Sequence, residues 1–188
     1  RPLPAMLVVP SRTLPFSREL YIDAGDYMVD PPKGYKRLVP GGEVRLRGSY
    51  VIRADEAITD ADGNVTELRC SYDPDTLGKN PEGRKVKGVI HWVPAAESIE
   101  CEVRLYDRLF TAPNPDKSET GGGFLDNINP QSLITLTGCR AEPSLASASL
   151  DDRFQFEREG YFCLDSKDST AERPVFNRTV TLRDSWGQ

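Results

Sequence analysis

Hydrophobic and polar residues alternate with a period of two along most of the chain, which is typical of β-strands. The pattern predicts eight strands, at residues 18–23, 43–58, 65–72, 85–93, 100–110, 133–142, 154–165 and 175–183. The alternation shifts at Gly48, where we expect a kink or bulge inside the second strand. Only two short stretches, 24–29 and 123–128, favour helix. The chain is therefore predicted to be all-β.

Turn-forming residues divide these strands at short intervals. The chain contains 15 glycines and 15 prolines, and such punctuation between short strands is typical of β-barrels and β-sandwiches. Residues 60–64 are interpreted as a hairpin turn and not as a calcium loop, because the acidic spacing does not fit an EF-hand. The pattern divides the chain into two barrels, at residues 18–94 and 95–188, the second completed by residues 1–17.

Composition limits the protein classes that fit. Among 188 residues, 38% are hydrophobic and 28% charged, so the chain can bury a core and is not expected to be disordered. The apolar runs are too short to span a bilayer. We see no signal peptide and expect a cytoplasmic protein without a membrane partner. Because none of the four cysteines belongs to a CxxC pair, we expect no metal site. Without a secretion signal we expect the thiols to be reduced.

Candidate catalytic residues are scarce. The chain has no phosphate-binding GxxxxGK[ST] loop and no nucleophile elbow. Its single histidine, His91, is interpreted as a structural strand residue. We therefore predict no catalytic residue in this chain.

Positive charge is concentrated in two windows of an otherwise acidic chain. Residues 33–47 carry a net charge of +4 and residues 79–87 a net charge of +3, while the chain as a whole carries −5. Such segregation is typical of a nucleic-acid groove on an acidic protein. The alternative is a solvated edge strand whose cations prevent aggregation.

Spacing within the first window suggests how the cations are presented. Arg45 and Arg47 are two residues apart on a predicted strand, so we expect both guanidinium groups on one face. Lys36 and Arg37 precede this strand beside Tyr35, whose ring is suited to stacking on an unpaired base.

A second candidate cluster lies at residues 154–162. Gln155 is able to read a base edge, and Arg158 is able to bind a base or a phosphate. On a regular strand the two side chains lie on opposite faces, so a bulge is needed before they converge on one ligand. A plain amphipathic strand with a polar outer face is the alternative.

Six short runs of the sequence resemble the C-terminal half of bacterial glutaminyl-tRNA synthetases. The runs are YKRLV at 35–39, EVRLR at 43–47, GRKVKGVIHWV at 83–93, RLYDRLF at 104–110, FQFEREGYF at 154–162 and PVFNRTV at 174–180. The match is in order from about residue 12 to residue 186. It implies two β-barrels of the anticodon-binding type, distal (18–94) and proximal (95–188), a fold shared with a ribosomal protein that binds 5S RNA.

The resemblance also implies roles for individual residues. Lys36 and Arg37 are similar to the pair that reads the third anticodon base and its phosphate. Arg45 and Arg47 are similar to the pair for the first base. Gln155 and Arg158 are similar to part of the pocket for the middle uridine. A further arginine that the family places upstream has no counterpart in residues 1–10.

The family's ATP-handling signatures, a HIGH-like motif and a KMSK-like loop, do not occur in the chain. We therefore expect a fragment of an ATP-dependent, class I glutamine–tRNA ligase that lacks the active site and holds no cofactor, ATP and Mg²⁺ belonging to the full-length enzyme. The expected partners are the tRNA(Gln) anticodon stem-loop and the N-terminal catalytic half. The alternatives are a structural β-barrel domain of a larger assembly, the equivalent module of a glutamyl-tRNA synthetase, or a carbohydrate-binding β-sandwich.

Overall fold

The computed structural model describes residues 12–116 and 123–182, and the chain divides into two compact units, Arg1–Ala96 and Glu97–Gln188. The described residues form eleven β-strands and four short 3₁₀ helices. The predicted all-β class is confirmed. Among these residues the hydrogen-bonded ladders leave each sheet open, so strand pairing by itself does not close a barrel.

The first unit is built around a four-stranded sheet. The strands of this unit are β1 (Leu20–Tyr21), β2 (Glu43–Leu46), β3 (Val51–Thr59), β4 (Val65–Asp73), β5 (Val89–Ile90) and β6 (Val93–Pro94). The sheet order is β4-β3-β2-β5, and β1 pairs separately with β6. Strand β2 is antiparallel to β3 and parallel to β5. Because β2 is paired on both sides, its one cation, Arg45, does not lie on an edge strand.

The predicted strand at residues 43–58 is instead a hairpin. Strand β2 ends at Leu46, and the amide of Ser49 donates to the carbonyl of Leu46 at 2.9 Å. Gly48, inside this turn, has a φ of +66°, a left-handed conformation that glycine adopts without steric cost. The shift in alternation therefore marks a chain reversal and not a kink within one strand.

The core of the first unit lies under β2, β3 and β5. Leu38, Val44, Leu46, Ile52, Ala54, Ile90 and Trp92 form its buried cluster. Leu14 and Phe16 also pack against this cluster. The described part of segment 1–17 thus lies with the first unit, whereas the sequence pattern assigned that segment to the second. Residues 1–11 lie outside the described residues.

The second unit contains one five-stranded sheet. Its strands are β7 (Ile99–Tyr106), β8 (Leu133–Ala141), β9 (Phe154–Phe156), β10 (Gly160–Leu164) and β11 (Val175–Val180), in the order β8-β7-β11-β10-β9. The central pair, β7 and β11, is parallel. Phe162 and Phe176 are buried in the core, and Phe156 stacks on Phe162 with ring centroids 4.3 Å apart.

Two further predicted strands are interrupted. The run 154–165 is a hairpin of β9 and β10 with a turn at residues 157–159. The run 85–93 contains only β5 and the start of β6, and His91 lies between them. The first change introduces a turn, and the second leaves residues 85–88 and 91–92 outside any strand, neither of which a count of alternating residues reveals.

Short 3₁₀ helices and free thiols complete the described fold. The two predicted helical stretches are 3₁₀ helices, Ala24–Asp26 and Phe124–Asn127. All four cysteines are free, and burial raises the pKa of the Cys101 thiol to about 12. In the described part of the chain, no helix is long and apolar enough to cross a membrane.

Candidate nucleic-acid interface

The two basic windows of the sequence meet in one groove of the first unit. The groove has a volume of about 590 Å³. Its charged lining residues are Lys36, Arg37, Arg53, Arg84, Lys85, Lys87 and one carboxylate, Glu43. The three arginines pair with carboxylates, so the three lysines supply the net positive charge of the groove on a chain whose net charge is −5. Such a concave positive surface attracts polyanions.

One wall of the groove is the segment Tyr35 to Arg37, which is anchored to the 3₁₀ helix Ala24–Asp26. The Tyr35 hydroxyl and Arg37 Nη1 both donate to the carbonyl oxygen of Gly25, each at 3.0 Å. Arg37 Nε lies 3.3 Å from the buried carboxylate of Asp26. The Arg37 guanidinium also lies 5.7 Å from the centre of the Tyr35 ring. These contacts fix Arg37 but leave its side chain 39% exposed at the groove.

The opposite wall is the segment from Arg84 to Gly88. Arg84 Nε donates to Glu43 Oε2 at 2.9 Å, and its Nη2 donates to Asp73 Oδ2 at 2.6 Å. Hydrogen bonds to these two carboxylates raise the pKa of Arg84, and the bond from Arg84 lowers the pKa of Asp73. Arg84 therefore ties this wall to the start of β2 and the end of β4.

Three lysines of the groove remain available to a ligand. The side chains of Lys36, Lys85 and Lys87 are exposed. Within residues 12–116 and 123–182, none of their ammonium groups forms an ion pair or a hydrogen bond. An ammonium group without an internal partner can bind a phosphate without breaking an existing contact. The groove thus combines fixed arginines with free lysines.

Arg45 lies outside the lining of this groove. Its guanidinium donates to the carbonyl oxygens of Ser49 at 2.8 Å, of Thr76 at 2.7 Å and of Lys79. These bonds hold the loop after β4 against the turn that follows β2. A guanidinium with three internal acceptors has few donors left for a base.

Arg47 lies just beyond the strand that carries Arg45. Strand β2 ends at Leu46, so Arg47 is the first residue of the turn. Its side chain is exposed, and its carbonyl accepts a hydrogen bond from Trp92 Nε1 at 3.0 Å. The expectation that one regular strand carries both residues therefore fails at Arg47, while the presentation of both guanidinium groups to one ligand stays a prediction.

Gln155 and Arg158 lie in the second unit, at the β9–β10 hairpin. Gln155 is exposed and pairs across the hairpin with Tyr161. Arg158 lies in the turn with a φ of 67°, and it is the one residue other than glycine with positive φ among those described. A hairpin, and not the single regular strand of the prediction, determines where these two residues lie.

Two contributors to the groove had no assigned role in the sequence. Arg53 lies on β3 between the buried residues Ile52 and Ala54, so alternation alone places its side chain outward. Asp26 anchors Arg37, and no sequence signal distinguishes it from the other 28 acidic residues. Both roles depend on contacts between distant segments.

Family models match both units. A model described as "tRNA synthetases class I (E and Q), anti-codon binding domain" matches residues 6–73, and a second model with the same description matches residues 89–165. The chain belongs to this anticodon-binding family. The resemblance inferred from the sequence is thereby confirmed.

Curated proteins similar to the chain indicate which members of the anticodon-binding family it resembles. The chain is 81% identical over 176 residues to a protein of Pseudomonas putida named glutamine–tRNA ligase. It is 80% identical over 175 residues to one of Pseudomonas syringae pv. tomato and 77% identical over 177 residues to one of Azotobacter vinelandii, both with the same name. These matches cover 93% to 94% of the chain but only 31% to 32% of each relative. The chain therefore spans about a third of these relatives' length.

Proposed function

We propose that the chain binds the anticodon loop of tRNA(Gln) and that the groove between residues 35–37 and 84–88 receives part of this loop. The observation that carries the proposal is the meeting of both basic windows in one groove with three free lysines. Membership of the anticodon-binding family supports it. RNA loops are bound through phosphate neutralisation together with contacts to unpaired bases.

The residues of the groove suit different parts of such a ligand. Lys36 offers a free ammonium for a phosphate or a base edge of the third anticodon nucleotide. Arg37 retains partial exposure beside it, and its fixed guanidinium offers a preorganised fork. Tyr35 is only half-buried and offers a ring for stacking. Together these residues suit one unpaired nucleotide.

The other contacts predicted from the sequence are proposed for residues outside this groove. Gln155 and Arg158 are proposed to contact the middle uridine from the second unit. Arg47 is exposed and is proposed to contact the first base. The three carbonyl contacts of Arg45 favour a structural role in holding the loop after β4, with any effect on the first base transmitted through Arg47.

Ligation of glutamine to tRNA is proposed only for the full-length, cytoplasmic enzyme. In that enzyme the catalytic half, with ATP and Mg²⁺, performs the reaction, and the present chain supplies recognition of the anticodon. The described residues contain no cluster of three or more His, Cys, Asp or Glu that could hold a metal ion.

Binding of anticodon stem-loops tests this function. The chain is titrated against labelled stem-loops of tRNA(Gln), against versions altered at one anticodon base, and against a tRNA(Glu) stem-loop, over a series of salt concentrations. We expect salt-dependent binding and a loss of about 5- to 150-fold for altered bases, equivalent to about 1–3 kcal/mol. Lys167→Gln, on the exposed surface of the second unit, is the matched control for Lys36→Gln.

Two results would contradict the proposal. One is equal affinity for the tRNA(Gln) stem-loop and an unrelated hairpin of the same length. The other is a Lys36→Gln variant whose binding matches that of Lys167→Gln at every salt concentration.

A further inference from the structure

We infer that Lys85 and Lys87 form a second, sequence-independent contact with the RNA, by binding two backbone phosphates along the wall opposite Tyr35 to Arg37. This inference rests on the proposed function and assigns an individual contact to two residues that the sequence analysis treated only as part of a basic window. Lys85 and Lys87 are expected to contribute affinity and not base discrimination.

The wall presents both lysines on one side. Burial alternates along it, because Lys85, Lys87 and Val89 are exposed whereas Gly88 and Ile90 are buried. An extended segment rises about 3.3 Å per residue, so residues two apart project the same way about 6.6 Å from each other. Lys85 and Lys87 both line the groove, and this spacing places the two residues as a short row along its wall.

Backbone contacts hold this row in place. The amide of Arg45 donates to the carbonyl of Gly88 at 3.0 Å, and β5 continues the wall in parallel pairing with β2. At its other end, Arg84 is bound to Glu43 and Asp73. The row is thus anchored on both sides of the two lysines, which lowers the entropy lost when a strand of RNA binds.

The chemistry of the row favours phosphate over base recognition. Lysine is a compact point charge with freely rotating donors and lacks the planar fork that matches a base edge. Glu43, the single carboxylate of the groove, is occupied by Arg84. The groove therefore has one wall with a ring and a guanidinium fork, and another with free ammonium groups.

Salt dependence of binding is the first readout. The full chain and its Lys85→Gln, Lys87→Gln and double variants are titrated with the tRNA(Gln) stem-loop, with Lys167→Gln as the control for loss of one exposed charge. Each phosphate contact in a single strand contributes about 0.7 to the slope of log K against log salt. We expect each single variant to lose about 0.7 and the double variant about 1.4. The affinity ratio between cognate and base-altered loops should not change.

A second readout identifies the phosphates directly. Stem-loops carrying one neutral methylphosphonate linkage, placed at each loop position in turn, are bound by the wild type and by the two single variants. We expect one linkage that responds to Lys85 and one that responds to Lys87. At each of these two linkages the neutral group should weaken binding to the wild type but not to the variant that lacks the corresponding lysine.

The outcomes separate this inference from the proposed function. A wild-type chain that shows no salt-dependent binding overturns both. A wild-type chain that binds while the double variant keeps the full salt slope, or loses base discrimination, overturns only the phosphate-binding wall. The inference is also overturned if, at every linkage, the methylphosphonate weakens binding to the lysine variants as much as it weakens binding to the wild type.

Discussion

Gly88 lies against the backbone of Lys36 so closely that a Cβ atom on residue 88 would lie 2.0 Å from the carbonyl oxygen of Lys36. The same atom would lie 2.8 Å from Cγ2 of Val44. Glycine at position 88 therefore allows the two walls of the groove to approach each other. Lys36 and Gly88 are far apart in sequence, and their contact joins the two basic windows.

The first prediction concerns this close approach. Gly88→Ala should force the wall 84–88 away from Lys36 and destabilise the chain by about 1–3 kcal/mol, as overpacking does in well-packed sites. Urea unfolding followed by circular dichroism measures the change. Gly123→Ala is the matched control, because Gly123 has a φ of −84° and, its chain neighbours aside, no atom of the described residues lies within 4 Å of the position that a Cβ atom would take there. Equal stability of the two variants would show that the approach is not required.

The second prediction separates structural from base-reading roles of Arg45. Arg45→Ala removes three hydrogen bonds to carbonyls and should cost about 2 kcal/mol of unfolding free energy. Arg69→Ala, which removes an exposed arginine paired with Glu56 and Glu67, should cost less than about 1 kcal/mol. Urea midpoints measure both. An unchanged midpoint for Arg45→Ala, with lost discrimination at the first base, would instead support direct base contact.

The third prediction is a dependence of stability on pH from Asp165. A hydrogen bond from Asn177, with further bonds from the amides of Asp168 and Lys167, lowers the pKa of Asp165 to about 2. Because the pKa is lower in the folded state, the contribution of this carboxylate to stability is fully present above its ordinary value of 3.8. It is lost as the pH falls through about 2.

Urea midpoints between pH 7 and pH 2 test this contribution. Asp165→Asn should be less stable than the wild type at pH 7, and the difference should shrink as the pH falls below about 4. Asp151→Asn, at an exposed site, is the control for removal of one carboxylate. A difference between wild type and Asp165→Asn that stays constant down to pH 2 would contradict the prediction.

The fourth prediction concerns Arg158, whose φ of 67° is costly for a residue with a Cβ atom. Arg158→Gly should leave stability unchanged or raise it by up to about 1 kcal/mol. If Arg158 contacts the middle uridine, the same change should weaken binding of the cognate stem-loop. Thermal unfolding and stem-loop titration together test both parts. Arg158→Lys keeps the charge and the strained backbone but lacks the guanidinium fork. It should therefore lower binding without raising stability.

Locally encoded features were predictable from the sequence. The turn at residues 60–64 forms as expected, because the Asp60 carboxylate accepts hydrogen bonds from the amides of Asp62 at 3.0 Å and Asn64 at 2.8 Å. Strands β4 and β8 lie within about one residue of their predicted ranges. Alternation and short-range hydrogen bonds are properties of a few neighbouring residues, so the sequence contains them directly.

Chain reversals inside alternating runs were not predictable in the same way. Residues 43–58 and 154–165 alternate well enough to look like single strands, yet each is a hairpin. The reversals depend on positive φ at Gly48 and Arg158. Glycine adopts either sign of φ, so its presence does not fix the conformation at residue 48. An arginine favours negative φ, so the positive φ of Arg158 is imposed by the packing of the two strands.

The sequence alone determined the all-β class, the family and the two basic windows. The tertiary structure decided which cations face a ligand. Arg45 meets three carbonyl oxygens, Arg84 meets two carboxylates, and Lys36, Lys85 and Lys87 remain free in the described part of the chain. The physical reason is that most of the internal acceptors belong to segments distant in sequence, which strand pairing and the approach of Gly88 to Lys36 help to bring together.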